Sequence, residues 1–319
     1  MRLIVNIPAY NEEKRLGETI ARIPRKIEGI DEVLVQVVDD GSSDRTAKVA
    51  AEAGADFVIR HRVNRRLGKV FRSAVENALA RKADIMVNID ADGQFDPGFI
   101  PTIIKPILSG RADMTIGDRF AGGQADGIPF LKDKLNRLGA WLVGRFLRVD
   151  IHDLTCGFRA HNRETLLRLN PPTGFTYTQE TIIDAIGKGL KIIWVPVKVR
   201  YFRDRRSRVV RSVYDFVNNS ARIIIKAVRD VRPMKFFGIP GLFLILLSFV
   251  SFGIFLSLYL PELKISPYRN HLLVAIVLFL IGLQFIVFAF IADMIKANRK
   301  LTEEMMYQLR KSRYGKNDD

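Results

Sequence analysis

Two long apolar runs in the C-terminal third constrain the fold of this chain most strongly. No charged residue occurs from Phe236 to Leu260, and none occurs from Leu272 to Ala292. Each run reaches the length of about 20 residues that a helix needs to cross a bilayer. The alternative is a buried helical hairpin, but helices that are apolar on every side are rare in soluble folds. We therefore predict two transmembrane helices.

The flanks of the two apolar runs are strongly basic, and the formal net charge of the chain is +16. Lysine and arginine gather before the first run and after the second, whereas the connection between them carries only Lys264 and Arg269. Positive charge is retained on the cytoplasmic side, so we expect both termini there. Membrane lipids then account for much of the charge, and nucleic acid is not an expected partner. The strand-like start RLIVNI predicts no secretory leader.

The first 200 residues alternate between strand-like and helix-like segments. Strands are predicted at RLIVNI, EVLVQVV, DFVIR, DIMVNI and DMTIG. This alternation predicts an α/β fold, with helices covering a mostly parallel sheet. Ser43 is predicted to cap a helix that starts at Asp44, and Pro97 to lie in the first turn of a later helix. No strand is followed by G-x-G-x-x-G, which argues against a dehydrogenase.

The stretch NIDADGQFDP places two carboxylates where a buried strand ends. Asp90 and Asp92 can reach one cation if the backbone turns there, and Gln94 can supply a further oxygen. Oxygen ligands select a hard ion such as Mg²⁺ or Mn²⁺. A simple turn or helix cap is an equally good explanation of one isolated D-x-D. The motif therefore has to be weighed with its neighbours.

Three other strand ends carry IPAYNEE, VVDDGSSDRT and NRRLGKVFRSA. In this order the four motifs resemble the family 2 glycosyltransferases of the GT-A fold, over roughly residues 1 to 200. The resemblance implies a nucleotide diphosphate sugar donor, and a Mg²⁺ or Mn²⁺ cofactor at Asp90, Asp92 and Gln94. It further implies nucleotide contacts from Pro8, Ala9, Tyr10, Glu12, Asp39, Asp40, Gly68, Lys69, Asp90 and Ala91.

The motifs GDRF, DLTCGFRAHNR and RDRRSRV narrow the resemblance to polyprenyl-phosphate glycosyltransferases, the group that includes dolichyl-phosphate mannose synthase. The acceptor is then a lipid phosphate, which guanidinium groups bind well. The chain departs from the group's pattern at Arg205, where glycine is usual, and at Arg208, where lysine is usual. The residues expected to hold the acceptor phosphate are Arg119, Lys134, Arg203, Arg206 and Arg208.

The resemblance implies an inverting transfer of a hexose, with Asp92, Arg119 and Asp153 as the expected catalytic residues. Asp153 is a candidate base or organiser of the acceptor site, and Glu180 is another candidate base. A uridine donor is favoured over GDP-mannose by resemblance alone. Three alternatives stay open, namely a hydroxyl acceptor on a lipid-linked saccharide, a processive polysaccharide synthase, and a non-catalytic sugar-nucleotide-binding protein. The synthase is disfavoured because no Q-x-x-R-W motif is present.

The expected organisation has four parts. Residues 1–205 form the GT-A domain, 206–235 an interfacial juxtamembrane region, 236–292 the transmembrane hairpin and 293–319 a basic cytoplasmic tail. The juxtamembrane region has apolar and basic residues at helix-like intervals, which also fits a helix packed on the sheet domain. The tail fits either a lipid-facing segment or a helix that assembles a homo-oligomer.

Overall fold

The computed structural model describes residues 1–121, 125–126, 130–170, 177–200, 225, 229, 232–263 and 265–315. The chain divides into two compact units. The first comprises Met1–Ile224 and Met305–Asp319, and the second comprises Ile225–Glu304. The mixed α/β region lies in the first unit and the apolar helices lie in the second.

Seven strands form the main sheet of the first unit, in the order β3-β2-β1-β4-β7-β5-β8. Strand β7 is antiparallel to its neighbours β4 and β5, whereas the other neighbours are parallel. The mostly parallel sheet agrees with the prediction, and all five predicted strands are found. The strands are β1 Arg2–Ala9, β2 Glu32–Asp39, β3 Phe57–Arg60, β4 Ile85–Asn88, β5 Met114–Asp118, β7 Arg159–Asn162 and β8 Ile192–Pro196; a separate ladder joins β6 Ala125–Asp126 to β9 Val199–Arg200.

The described residues before position 200 include seven helices of the first unit. They are α1 Leu16–Ala21, α2 Thr46–Glu52, α3 Leu67–Ala80, α4 Ile100–Leu108, α5 Phe130–Leu147, α6 Arg163–Arg168 and α7 Thr178–Gly187. Pro97 begins a 3₁₀ turn directly before α4, as the sequence predicted. The predicted cap at Ser43 is wrong, because α2 begins at Thr46 and Asp44 accepts the Thr46 N–H at 3.0 Å. Ser43 instead donates its backbone N–H to Asn11 Oδ1.

A row of buried amide side chains crosses the centre of the sheet. Gln36 donates to Asn6 Oδ1 at 3.0 Å, Asn6 donates to Asn88, and Asn88 donates to the Gly157 carbonyl at 3.2 Å. All three amides are at most 1% exposed. Buried polar groups need such partners, so the row fixes the lateral register of β2, β1 and β4. It also ties β4 to the loop that precedes β7.

The second unit contains α8, Pro233–Glu262, and most of α9, Arg269–Tyr314. Both helices are long and apolar enough to cross a membrane. They pack closely where a Cβ added to Gly241 would lie 3.0 Å from the Gly282 carbonyl oxygen. Ser248 donates to the Ala275 carbonyl at 2.8 Å. Small residues therefore bring the two backbones together, while most leucine and phenylalanine side chains point outwards.

The last turns of α9 belong to the first unit. Tyr307 is 8% exposed and packs into the cluster formed by α3 and α6. The guanidinium group of Arg168 lies 4.4 Å from the centre of the Tyr307 ring. Arg310 donates to the carbonyls of Leu167 and Leu169 at the end of α6. This segment of the predicted basic tail is thus held by residues of its own chain.

Candidate functional site

The predicted motifs meet at one edge of the sheet. Strands β1, β2, β3 and β4 are mutually parallel, and β5 has the same direction because both β4 and β5 are antiparallel to β7. The loops that follow these strands therefore leave from a common carboxyl edge. The loop before β7 reaches the same edge from the opposite direction. Ligands of open α/β sheets bind at such edges.

The loops after β1 and β2 hold each other through short polar contacts. Asn11 donates its backbone N–H to Ser42 Oγ at 2.9 Å, and the Glu12 N–H donates to Thr46 Oγ1 at 2.8 Å. Pro8 and Ala9 end β1, and Tyr10 is 39% exposed beside them. Asn11 and Thr46 were not singled out from the sequence, although both lie within the quoted motifs. Their contacts explain why the two motifs occur together.

Asp39 ends β2 and is completely buried. Its Oδ1 accepts the Ser42 N–H at 3.0 Å. Its Oδ2 lies 3.3 Å from Arg60 Nε in an ion pair, yet has no hydrogen-bond partner in the described part of the chain. The Arg60 side chain is 60% exposed. Asp39 thus offers a buried acceptor behind a solvent-exposed guanidinium group.

Asp40 directs its carboxylate into the protein. Its Oδ1 accepts from His61 Nδ1 and from the Arg65 N–H, both at 2.8 Å, and its Oδ2 accepts the Arg66 N–H at 2.9 Å. These bonds shape the loop before α3, whose first turn carries the buried Gly68 and the exposed Lys69. The sequence predicted Asp40 as a nucleotide contact and did not predict this internal role.

Asp90, Ala91 and Asp92 follow the end of β4 after one intervening residue, Ile89. Asp90 lies against Gly157, where an added Cβ would be 2.6 Å from Asp90 Oδ2. Asp92 Oδ1 accepts the Gln94 N–H at 3.0 Å, so Asp92 and Gln94 form one turn. The cradle at Gly157 and the oxygen-only donors fit a hard divalent cation. Within the described ranges, no group of three or more His, Cys, Asp or Glu side chains is placed to hold a metal ion.

Arg119 and Asp153 form a buried bidentate ion pair. Arg119 Nε donates to Asp153 Oδ2 at 2.6 Å and Nη2 donates to Oδ1 at 2.9 Å, while Nη2 also donates to Thr155 Oγ1 at 2.6 Å. Burial by itself would raise the pKa of Asp153, but the charge and hydrogen bonds of Arg119 and the Thr155 N–H lower it below its ordinary value of 3.8. Asp153 is therefore an ionised carboxylate and a weak base.

Arg159 is a fully buried cation that sequence reasoning missed. It donates to the carbonyls of Cys156 and Thr178, both at 2.6 Å, and to Thr181 Oγ1 at 2.8 Å. Burial lowers the pKa of this guanidinium group. The contacts join the loop before β7 to the start of α7. No periodic pattern in the sequence distinguishes such an arginine from a surface one.

The other predicted site residues have different surroundings. Lys134 is exposed on α5. Glu180, a candidate base, is 7% exposed in the first turn of α7. The expected acceptor residues Arg203, Arg206 and Arg208 lie outside the described residues, as does most of the expected juxtamembrane region.

Comparison with known proteins adds to this geometry. The model of the family described as glycosyl transferase family 2 matches residues 4–169, which is more than half of the chain. The chain belongs to glycosyltransferase family 2. The predicted enzyme class is thereby confirmed, and the loops at the carboxyl edge are those of a family 2 glycosyltransferase.

Individual relatives of this glycosyltransferase carry more specific names. It is 32% identical to a dolichol-phosphate mannosyltransferase of Pyrococcus furiosus, over 84% of this chain and 76% of that protein. It is 28% identical to a UDP-N-acetylglucosamine–dolichyl-phosphate N-acetylglucosaminyltransferase of Methanococcus voltae, over 61% of this chain and 84% of that protein. The expected resemblance to polyprenyl-phosphate glycosyltransferases is confirmed.

A solved structure is similar to the GT-A part of this glycosyltransferase. Glucosyl-3-phosphoglycerate synthase from Mycobacterium tuberculosis, in complex with Mn²⁺, UDP-glucose and phosphoglyceric acid, matches with a TM-score of 0.54 at 25% identity. The match covers 72% of this chain and 79% of that chain. The predicted GT-A fold is confirmed. The roles of the individual site residues stay predictions.

Proposed function

We propose that this glycosyltransferase moves a hexose from a nucleotide diphosphate sugar to a polyprenyl phosphate, with inversion at the anomeric carbon. The observation that carries the proposal is the buried Arg119–Asp153 pair at the same sheet edge as Asp90 and Asp92. Asp153 was a candidate base or organiser of the acceptor site, and its lowered pKa makes it a poor base. An acceptor that is already ionised does not need a strong base. A phosphate meets that condition near neutral pH, whereas a hydroxyl group does not.

The acceptor side is built around a guanidinium group of fixed orientation. Three hydrogen bonds to Asp153 and Thr155 fix the plane of Arg119. A group held in this way loses little conformational entropy when a phosphate approaches. We expect Lys134, Arg203, Arg206 and Arg208 to add positive charge around the acceptor phosphate. The names of the Pyrococcus and Methanococcus relatives, which specify dolichyl phosphate, support this acceptor.

The donor side supports a uridine nucleotide. Asp39 Oδ1 is occupied by the Ser42 N–H, and only Oδ2 lacks a hydrogen-bond donor in the region described. The Watson–Crick edge of uracil presents a single N–H between two carbonyls, which suits one acceptor flanked by donors. The corresponding edge of guanine presents adjacent N–H and NH₂ groups, which suit a carboxylate with both oxygens available. Displacement of the exposed Arg60 would open the path to Oδ2.

Asp90, Asp92 and Gln94 are the residues that would hold a Mg²⁺ or Mn²⁺ ion. When bound, such an ion neutralises the charge that develops on the leaving diphosphate. The residues of the chain do the positioning. Asp90 is set by the close approach of Gly157, and Asp92 is set by the turn at Gln94. The acceptor phosphate oxygen then attacks the anomeric carbon from the face opposite the diphosphate.

Two transmembrane helices would keep the enzyme at the membrane that holds its lipid acceptor. We propose that α8 and the apolar part of α9 span the bilayer, with both termini in the cytoplasm. The basic residues on the outer flanks of the two apolar runs support this orientation. Nucleotide sugars would then reach the site from the cytoplasm. Cysteine accessibility at the loop that joins the helices, measured against a cysteine in the N-terminal unit, tests the orientation.

Nucleoside diphosphate release tests the reaction. Purified full-length protein in detergent receives UDP- and GDP-sugars with Mg²⁺ or Mn²⁺, together with a polyprenyl phosphate, the matching polyprenol, or neither. We expect release that depends on the lipid phosphate and prefers a uridine donor. Release with the polyprenol alone would overturn the phosphate acceptor. Equal release from both donor classes would overturn the assignment of Asp39 to uracil.

A further inference from the structure

The loop from His61 to Arg66, which we call the β3–α3 loop, is held by a chain of hydrogen bonds that runs through the buried side chains of Asp40 and His61. Asp40 accepts from His61 Nδ1 at 2.8 Å, and His61 Nε2 lies 3.0 Å from Ser73 Oγ on α3. His61 is 8% exposed and Asp40 is 4% exposed. The chain therefore connects the end of β2, the end of β3 and the second turn of α3.

The backbone of the β3–α3 loop is strained at its last residue. Arg66 has φ +67° and ψ +161°, a region that is essentially restricted to glycine. Such a conformation persists only where surrounding contacts enforce it. Here the Arg65 and Arg66 N–H groups both donate to Asp40. His61 is bonded to the same carboxylate at Oδ1, which helps to fix the orientation in which Asp40 accepts the two N–H groups.

The loop also packs tightly on the second nucleotide motif. A Cβ added to Gly41 would lie 2.7 Å from the Val63 carbonyl carbon and 2.9 Å from the Asn64 nitrogen. Gly41 follows Asp39 and Asp40, and its φ is +76°. The position of the loop is thus set by direct backbone contact with the residues next to Asp39. Gly68 and Lys69 lie two and three residues after the strained Arg66, so their position depends on the same contacts.

We propose that His61 and Ser73 are positioning residues for donor binding. They hold Asp40, and Asp40 holds the start of α3 with Gly68 and Lys69 against the nucleotide side of the site. Neither residue needs to touch the donor. The role deepens the proposed function and rests on it, since the donor is the nucleotide diphosphate sugar proposed above. Loss of the chain should weaken the donor complex and leave the acceptor complex unchanged.

The variants separate positioning from folding. His61→Leu removes both hydrogen bonds at similar volume, and His61→Asn keeps a side-chain N–H that can reach Asp40. Ser73→Ala removes only a half-buried hydroxyl group, so it gives a result even if His61→Leu does not fold. Glu76→Gln, on the exposed surface of the same helix, is the matched control.

Isothermal titration calorimetry with UDP and with GDP, each with Mn²⁺, measures nucleotide binding without the acceptor. Steady-state kinetics then gives kcat and separate KM values for donor and lipid phosphate. For His61→Leu we expect the nucleotide Kd and donor KM to rise about five- to tenfold, the size of effect that corresponds to the net free energy of about one hydrogen bond. In the same variant, kcat and the acceptor KM should change less than about twofold. His61→Asn should restore most of the nucleotide affinity. Ser73→Ala should raise the nucleotide Kd and the donor KM less than His61→Leu does.

Unchanged nucleotide affinity in folded Ser73→Ala and His61→Leu proteins would overturn the inference. Parallel losses of kcat, both KM values and thermal stability would also overturn it, because they indicate a purely structural role. A different result would contradict the proposed function. Wild-type protein that binds nucleotide but transfers no sugar to lipid phosphate would contradict the reaction, and the calorimetric comparison would still decide the role of His61 and Ser73.

Discussion

Gly157 approaches Asp90 so closely that a Cβ on residue 157 would lie 2.6 Å from Asp90 Oδ2. Gly157→Ala should therefore displace the Asp90 carboxylate, which is the mobile end of a side chain, and leave the backbone in place. A displacement of about 1 Å in a reacting group costs roughly 100-fold in rate. We expect a loss of that order in kcat with little change in Tm, measured by nucleotide release and thermal unfolding.

Gly17→Ala provides the matched control for this substitution. An added Cβ at Gly17 would make only ordinary contacts, the nearest at 3.5 Å from Val49. Its activity should equal that of the wild type. A Gly157→Ala enzyme with full activity would show that the position of Asp90 does not matter for transfer.

Asp92→Asn tests the acidic pair without disturbing its turn. The amide oxygen of asparagine can still accept the Gln94 N–H, so the local fold should persist. The substitution removes one negative charge from the residues that would hold the metal. We expect kcat to fall by about 100-fold or more, as for loss of a preorganised charge in an active site.

Asp96→Asn is the control for Asp92→Asn, because Asp96 accepts the Gly98 N–H in a similar turn. Turnover should be unchanged in this variant. Full activity of Asp92→Asn across the donor panel would remove Asp92 from the catalytic residues.

The ion pair between Arg119 and Asp153 should make the thermal stability of the protein fall at acid pH. The folded-state pKa of Asp153 is depressed, so its stabilising contribution is present above the ordinary value of 3.8 and is lost as the pH falls below it. Asp153→Asn leaves Arg119 buried without its charge partner, which costs about 3 kcal/mol or more at neutral pH. The difference in Tm between wild type and Asp153→Asn should therefore shrink as the pH falls from 7 to 3.

Thermal unfolding across this pH range measures the effect. Asp150→Asn is the control, because the Asp150 side chain is 94% exposed and should leave the pH profile unchanged. A gap in Tm between wild type and Asp153→Asn that is constant with pH would show that Asp153 is not stabilised as a carboxylate.

Strands β1 to β5 could be predicted from sequence because their apolar residues occur in short runs that end in turn residues, whereas β8, which is parallel to β5, was not predicted. Strand β7 could not, since its four residues, RAHN, include the buried Arg159 and His161. Burial lowers the pKa of His161 to about 3, so its ring is neutral. A central strand with polar side chains has no periodic signal, because tertiary contacts determine its structure.

The sequence predicted which loops form the site, but it did not predict the directions in which their side chains point. The motifs indicated which strand ends carry functional residues, and the parallel topology brought those ends together. The inward turn of Asp40 depends on His61, which is 21 residues away. The pairing of Arg119 with Asp153 spans 34 residues. Such partnerships are set by packing between distant segments, so one sequence alone does not indicate them.

Tyr307 should contribute to the stability of the first unit although it lies far along the chain from the sheet. Its ring is 8% exposed, packs with the core around α3 and α6, and its hydroxyl donates to Glu164 at 3.2 Å. Truncation of a buried aromatic side chain to alanine costs about 3 kcal/mol. For a unit of this size, Tyr307→Ala should lower Tm by about 6–12 °C.

Leu309→Ala is the control for Tyr307→Ala, since Leu309 is 68% exposed on the same helix. Thermal unfolding in detergent and limited trypsin digestion at the lysine and arginine residues after 305 measure the two variants together. Tyr307→Ala should be cleaved faster than Leu309→Ala, because release of the segment exposes its backbone. Equal cleavage rates and equal Tm values for the two variants would contradict a stabilising role of Tyr307. The last turns of α9 would then be bound too weakly to protect themselves from trypsin.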